Sequence, residues 1–338
     1  DNTKALTIAR EAVNAQPKNA AALDTLGAAQ FANKDLTNAL GTYQKLTEMY
    51  PQQAELRLKL AQIQMAMKQP DDARKSLQEA LKVKPAFIQA QNLLGGLEIQ
   101  SARYDEAQKI AKQMQLQTPG SPAGLILEGD TAFARKQYPA AIVAFERAHK
   151  LLPSPTTLIR LHRALVRGER IAEGEKQIAA WLASHPQDSG TRLYLAEYLT
   201  SRGQFKVAAD NYSYLNQQNP GNIAVLNNLA WVLSELKDKR ALHYAEQAHR
   251  LQPDNPAIMD TLGWILVQQG QAGRGIQLLQ QALSNKPDAA EIHFHLAAAY
   301  VKIGDRVHAR QELTRLLDSG QTFPQEKQAE DLLRQLGG

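Results

Sequence analysis

The sequence predicts an all-α chain, a right-handed superhelical α-solenoid of about nine helix pairs with a half pair in front and a capping helix behind. Prolines recur at Pro17, Pro51, Pro85, Pro119, Pro153, Pro186, Pro220, Pro253 and Pro287, a step of 33 or 34 residues. Twelve residues before each stands a small residue: Ala5, Ala39, Ala73, Ala107, Ala141, Gly174, Ala208, Ala241 and Gly275. A second small place, mostly preceded by leucine, recurs as Gly27, Ala61, Gly95, Gly129, Ala196, Ala230 and Gly263. Two small places per period let two helices approach closely. A repeat of that length cannot bury its apolar face alone, so neighbours must stack.

Taken in order, residues 1–19 read as the second helix of a truncated repeat. Nine repeats follow, at 20–53, 54–87, 88–121, 122–155, 156–188, 189–222, 223–255, 256–289 and 290–322. In each, the second helix is expected to stop at the proline, which bars the preceding residue from helical geometry. The fifth repeat departs from the plan. His162-Arg163 replaces its leading small residue and Pro153-Ser154-Pro155 stiffens its start, so the array is expected to be weakest there. The ninth repeat keeps Leu296-Ala297 and Ala309 but has no closing proline. Residues 323–338 then read as a capping helix, with Pro324 near its start and a charged outer side.

Leu26-Gly27, Ala39, Tyr43 and Pro51 in one repeat, and Gly129, Ala141, Phe145 and Pro153 in another, resemble the tetratricopeptide repeat (TPR). That resemblance implies a TPR superhelix whose first helices line a concave groove for a protein or peptide. A narrower likeness rests on Leu226-Asn227-Asn228-Leu229-Ala230-Trp231, Pro253-Asp254-Asn255-Pro256, Asp260-Thr261-Leu262-Gly263-Trp264-Ile265-Leu266, His295-Leu296-Ala297 and Gly304-Asp305. These runs resemble the C-terminal part of PEP-CTERM system TPR-repeat lipoproteins, which accompany exosortase and exopolysaccharide loci in Gram-negative bacteria. The likeness implies a periplasmic, lipid-anchored protein whose partners include polysaccharide machinery; the cytoplasm is the alternative compartment.

Composition excludes several classes. The absence of cysteine rules out disulfides, thiolate metal sites and a cysteine nucleophile. No apolar run approaches the ~20 residues that span a bilayer, and Asp1 opens no signal-peptide pattern. Any export signal or anchor is expected upstream of these residues. A net charge of +5 with only 6% aromatic residues does not suit nucleic-acid binding. Sequence motifs for metal, nucleotide or serine-hydrolase chemistry do not occur, so neither catalysis nor a cofactor is expected. His293 and His295 stand two apart, which on a helix separates their side chains and argues against a metal pair.

The TPR resemblance assigns the groove to residues around each Leu-small pair. In the C-terminal third these are Tyr194, Glu197, Asn227, Asn228, Trp231, Asp260, Thr261, Trp264, Phe294 and His295. Two tryptophans one repeat apart beside amides and carboxylates suit an interaction hot spot; equally, they suit packing between first helices. The carboxylate clamp of chaperone-type TPR domains is not supplied, because its positions hold Leu58 with Gln62, Arg160 with Ala164, and Asn227 with Trp231. Arg160, Arg163, Arg167 and Arg170, spaced to share one helix side, form either an anion-binding stripe or a solvated face balanced by Glu169, Glu173 and Glu175. The expected function is a non-enzymatic interaction scaffold in an exosortase and exopolysaccharide envelope system. The alternative is a TPR domain severed from an enzyme such as a glycosyltransferase; a homo-oligomer is left open.

Overall fold

The computed structural model describes residues 2–337, and every regular element among them is an α-helix. Helix α1 (Asn2–Ala15) precedes the pairs α2 (Ala20–Ala32) with α3 (Leu36–Met49), α4 (Ala54–Ala66) with α5 (Pro70–Val83), and α6 (Ile88–Gln100) with α7 (Tyr104–Gln117). Next come α8 (Ala123–Ala134) with α9 (Tyr138–Leu151), then α10 (Pro155–Arg167) and α11 (Ile171–Ser184). The remainder pairs α12 (Ser189–Ser201) with α13 (Phe205–Gln218), and α14 (Ile223–Glu235) with α15 (Arg240–Leu251). It ends with α16 (Pro256–Gln268) and α17 (Ala272–Asn285), α18 (Ala290–Lys302) and α19 (Arg306–Asp318), and the closing α20 (Glu326–Gln335). The chain divides inside α11 into two compact units, one running to Trp181 and one from Leu182.

Both ends of each second helix that closes on a proline have a local cause. The residue before the proline is extended, as at Tyr50 (ψ 66), Lys84 (ψ 85) and Lys286 (ψ 80), so the helix stops there. Between the helices of a pair the chain reverses through one left-handed residue. Gly203, Gly270 and Gly304 supply it in three turns, but Lys34, Lys68, Ala102, Lys136, Glu169 and Lys237 hold the same positive φ. The amide following that residue donates to a carbonyl five residues back, as Asp35 does to Gln30 at 2.9 Å and Asp305 to Tyr300 at 2.9 Å. This Schellman bond offsets the cost of about 1 kcal/mol or more that a side chain meets in that conformation.

The small residues mark helix crossings, and their size tracks what faces them. A Cβ on Gly27 would lie 2.6 Å from the Tyr43 ring, and one on Gly129 would lie 2.4 Å from Phe145. Both rings are buried, at 2% and 1% exposure. In the fifth repeat a large residue is added to the first helix, while Ile178 still fills the place of Tyr43 and Phe145. His162 is fully buried in α10, and α11 answers with Gly174, whose added Cβ would lie 3.0 Å from the His162 ring. The crossing that looked broken in sequence is therefore compensated across the pair. Ala5 is exposed, since no first helix covers it among the described residues. At the other end α20 lays Ala329, Leu332, Leu333 and Leu336 against Phe294, Leu313 and Leu316.

Candidate functional site

In the second unit, α14, α16 and α18 bring together side chains far apart in sequence. The His295 ring stacks on Trp264, with centroids 5.1 Å apart and planes at 15°, and lies 5.7 Å from Trp231 at 41°. Its Nδ1–H donates to Asp260 Oδ1 at 2.8 Å. Asp260 and Trp264 are one turn apart on α16, which puts carboxylate and indole on one face. Both tryptophans are half-buried and pack against the repeat cores, so each combines packing with a part-open surface.

The remaining predicted groove residues divide. Glu197 is exposed, and Tyr194 and Asn227 are half-buried. The Asn227 Oδ1 is enclosed and accepts no hydrogen bond among the described residues. Asn228 is half-buried and donates to the Tyr212 hydroxyl at 3.4 Å. Thr261, Phe294 and His295 are buried, otherwise than the groove assignment required; His295 is 5% exposed, so its ring serves as support between the two part-open indoles. Thr261 is 5% exposed with its hydroxyl turned back to the Ala257 carbonyl, and Phe294 is 9% exposed beneath α20. Position relative to the Leu-small pair fixes a place on the helix, but at Phe294 the covering α20 decides what remains surface.

The arginines do not form one stripe. Helix α10 ends at Arg167, and the left-handed Glu169 turns the chain before Arg170, which pairs with Glu173 at 2.8 and 2.9 Å. Arg160 donates to Asp130 at 3.0 and 3.2 Å, while Arg163 lies over the Phe133 ring. Burial raises the Asp130 carboxyl pKa against the pull of Arg160. Arg167 is exposed. The two histidines of α18 also separate: His293 engages Glu312 at 2.6 Å and the Pro287 carbonyl at 3.0 Å, away from the His295 partner. His308 bonds the helix-capping Asp305 at 2.6 Å and stacks on Tyr300.

The sequence reading passed over Asp288 and Glu291, which with Asp260 line a cleft of about 410 Å³ between the first turns of α16 and α18 and the loop before α20. It also passed over a pairing rule. Asp24 with Lys59 and Asp260 with His295 are both 35 residues apart, one more than the repeat, and each pair bridges consecutive first helices. That offset was the available signal.

A family model described as tetratricopeptide repeat matches residues 30–97, 65–128 and 266–336, more than half of the chain, and a second of the same description matches 1–54. This chain belongs to the tetratricopeptide repeat family. It is 31% identical over 157 residues to "TPR repeat-containing protein PA4667" of Pseudomonas aeruginosa, an alignment covering 42% of this chain and 25% of the relative. The chain thus spans about a quarter of the length of that curated relative. Among solved structures, the APC/C hetero-tetramer Cut9-Hcn1 matches 93% of this TPR chain and 63% of its own at 15% identity and TM-score 0.51. Yeast Tom70 matches over 99% of this chain and 84% of its own at 13% identity and TM-score 0.48. At 15% identity the likeness to Cut9-Hcn1 concerns the fold alone.

Proposed function

We propose that this TPR protein is a non-catalytic scaffold that binds a protein partner on the first-helix face of α14, α16 and α18. The observation that carries the reading is the Trp264, His295 and Trp231 assembly. It holds aromatic surface and polar groups rigidly on three helices, so a partner meets a pre-formed site. On the strength of the C-terminal runs that resemble PEP-CTERM system proteins, the scaffold belongs to a periplasmic exosortase and exopolysaccharide system and is held by a lipid anchor outside these residues.

The test is an affinity capture from a Gram-negative envelope fraction with the wild-type chain and a Trp231→Ala, Trp264→Ala double variant. A partner from the export or polysaccharide machinery captured by wild type and lost by a still-folded variant supports the reading. Because both indoles also pack, melting curves must show the variant folded at the capture temperature. Equal capture by both moves the site elsewhere on the chain.

A further inference from the structure

Asp24 and Asp260 hold the same place in their repeats, two residues ahead of the Leu-small pair, and their surroundings differ in one respect. At Asp24 the carboxylate is filled from within. The Lys59 ammonium donates to both oxygens, at 2.6 and 2.7 Å, and the Tyr43 hydroxyl donates to Oδ1 at 2.8 Å. At Asp260 the equivalent partners are His295, which donates to Oδ1 alone, and Leu279, which donates nothing. Among the described residues none donates to Oδ2, although the side chain is only 13% exposed. His295 Nε2 likewise makes no hydrogen bond among the described residues. Asp260 Oδ2 is not among the enclosed unpartnered atoms, so it reaches the surface and is open to a donor from outside the chain, where a charge-assisted bond is stronger than a neutral one.

Asp260 opens onto the 410 Å³ cleft, whose rim adds Asp288 and Glu291 against a single cation, Lys286. The balance extends outward. Residues 182–338 hold 15 basic and 16 acidic residues, whereas residues 1–181 hold 24 and 18, so the cleft lies in the half without excess positive charge. We propose that this cleft takes the lysine or arginine side chain of a protein segment lying on the first-helix face. The cationic head supplies the donors that Asp260 Oδ2 lacks, as Lys59 does for Asp24. Asp288 and Glu291 add attraction at the rim, and the aliphatic stem lies along the face that carries Trp264 one turn away. The assignment rests on the interaction-face reading above and narrows it to a basic segment.

The experiment uses the full chain with 15N-labelled tryptophan, whose three indoles, Trp181, Trp231 and Trp264, give three resolvable signals. The probes are blocked heptapeptides, acetyl-Gly-Ala-Leu-X-Leu-Ala-Gly-amide, with X as lysine, arginine, norleucine or glutamate. The lysine and arginine peptides are expected to shift the Trp264 signal and to bind about tenfold more tightly than the norleucine peptide, the glutamate peptide being weakest. Raising salt from ~0.05 M to ~0.5 M should shrink that preference. Asp260→Asn should abolish it. Because that change also disturbs His295, the paired change Asp288→Asn with Glu291→Gln, which leaves the Asp260 to His295 bond intact, should reduce it several-fold. If lysine and norleucine peptides shift Trp264 with equal affinity, the cationic assignment is overturned while an apolar docking face survives. If no peptide moves Trp264 or Trp231, the cleft proposal is overturned, and the envelope capture decides separately whether the interaction face stands.

Discussion

Buried histidines can be shifted towards the neutral or the charged form by their neighbours, and His162 and His293 are shifted in opposite directions. His162 is fully enclosed, and desolvation pushes its pKa down to about 4. His293 lies between the Glu312 carboxylate and the Pro287 carbonyl, and the bond to Glu312 raises its pKa above the usual imidazole value against the effect of burial. The two therefore couple stability to pH with opposite signs. Above pH ~6.5, His162 is neutral folded or unfolded and its burial is unpenalised. As pH falls from there to ~4, the unfolded chain takes up a proton the folded one refuses, and up to about 3 kcal/mol is lost at 1.36 kcal/mol per unit. The His293 contribution is present below pH ~6.5 and fades as pH rises through its raised folded value. Denaturant titrations across pH 4–8 should show the acid-side loss weakened in His162→Leu and the alkaline-side loss weakened in His293→Gln. An unchanged acid limb in His162→Leu would mean that another group controls it.

For helices, the useful quantity is the space between two elements. Gly263 and Gly275 face each other across the α16 and α17 crossing, where a Cβ on Gly275 would sit 2.5 Å from the Gly263 carbonyl oxygen and 2.5 Å from Val267. Backbone cannot rotate aside, so Gly275→Ala should destabilise the chain by about 1–3 kcal/mol. In α3, Gly41 has open space around its missing side chain, and Gly41→Ala should stabilise by roughly 0.5–1 kcal/mol through helix propensity. Thermal melts of the two variants should move in opposite directions. A third substitution separates turn strain from packing: Lys68→Gly relieves a left-handed side chain at φ 59, with an expected gain of about 0.5–1 kcal/mol after the extra flexibility of glycine is subtracted. These elements were unequally legible. Proline and small residues are steric requirements that show as letters at fixed spacing, so the helix pairs could be read. The left-handed turns mostly could not, because lysine carries no local mark of that conformation. The site was legible as far as Trp231, Trp264 and His295 sharing a face, whereas the Asp260 cleft depends on the loop at 321–324 folding over α18, which no periodicity encodes.

A repeat array has stability that is approximately the sum of its repeats and of the interfaces between neighbours, so one poor repeat lowers protection locally without unfolding the rest. In this chain the division between the two compact units falls inside α11, within the repeat whose leading small residue is replaced by His162 and whose length is one residue short. Gly174 repairs the steric fit of that crossing, but the repair adds a glycine to a helix interior, a cost of about 0.5–1 kcal/mol relative to alanine. The buried imidazole adds a polar group to a place that alanine or glycine fills in the other repeats. Helices α6 to α9 also hold interior glycines and the buried Gln91 and Glu98, but their crossings keep the repeat pattern: Ala107 and Ala141 are fully buried, and Phe145 fills the space that Gly129 leaves. Amide exchange followed by mass spectrometry at neutral pH should therefore be faster over residues 156–188 than over 88–150. Lowering the pH towards 5 should widen the gap in protection, once the pH dependence of intrinsic exchange is removed, because protonation in the opened state favours opening around His162. Equal protection factors in the two stretches at both pH values would show that the Gly174 compensation is complete and that the fifth repeat is as cooperative as its neighbours.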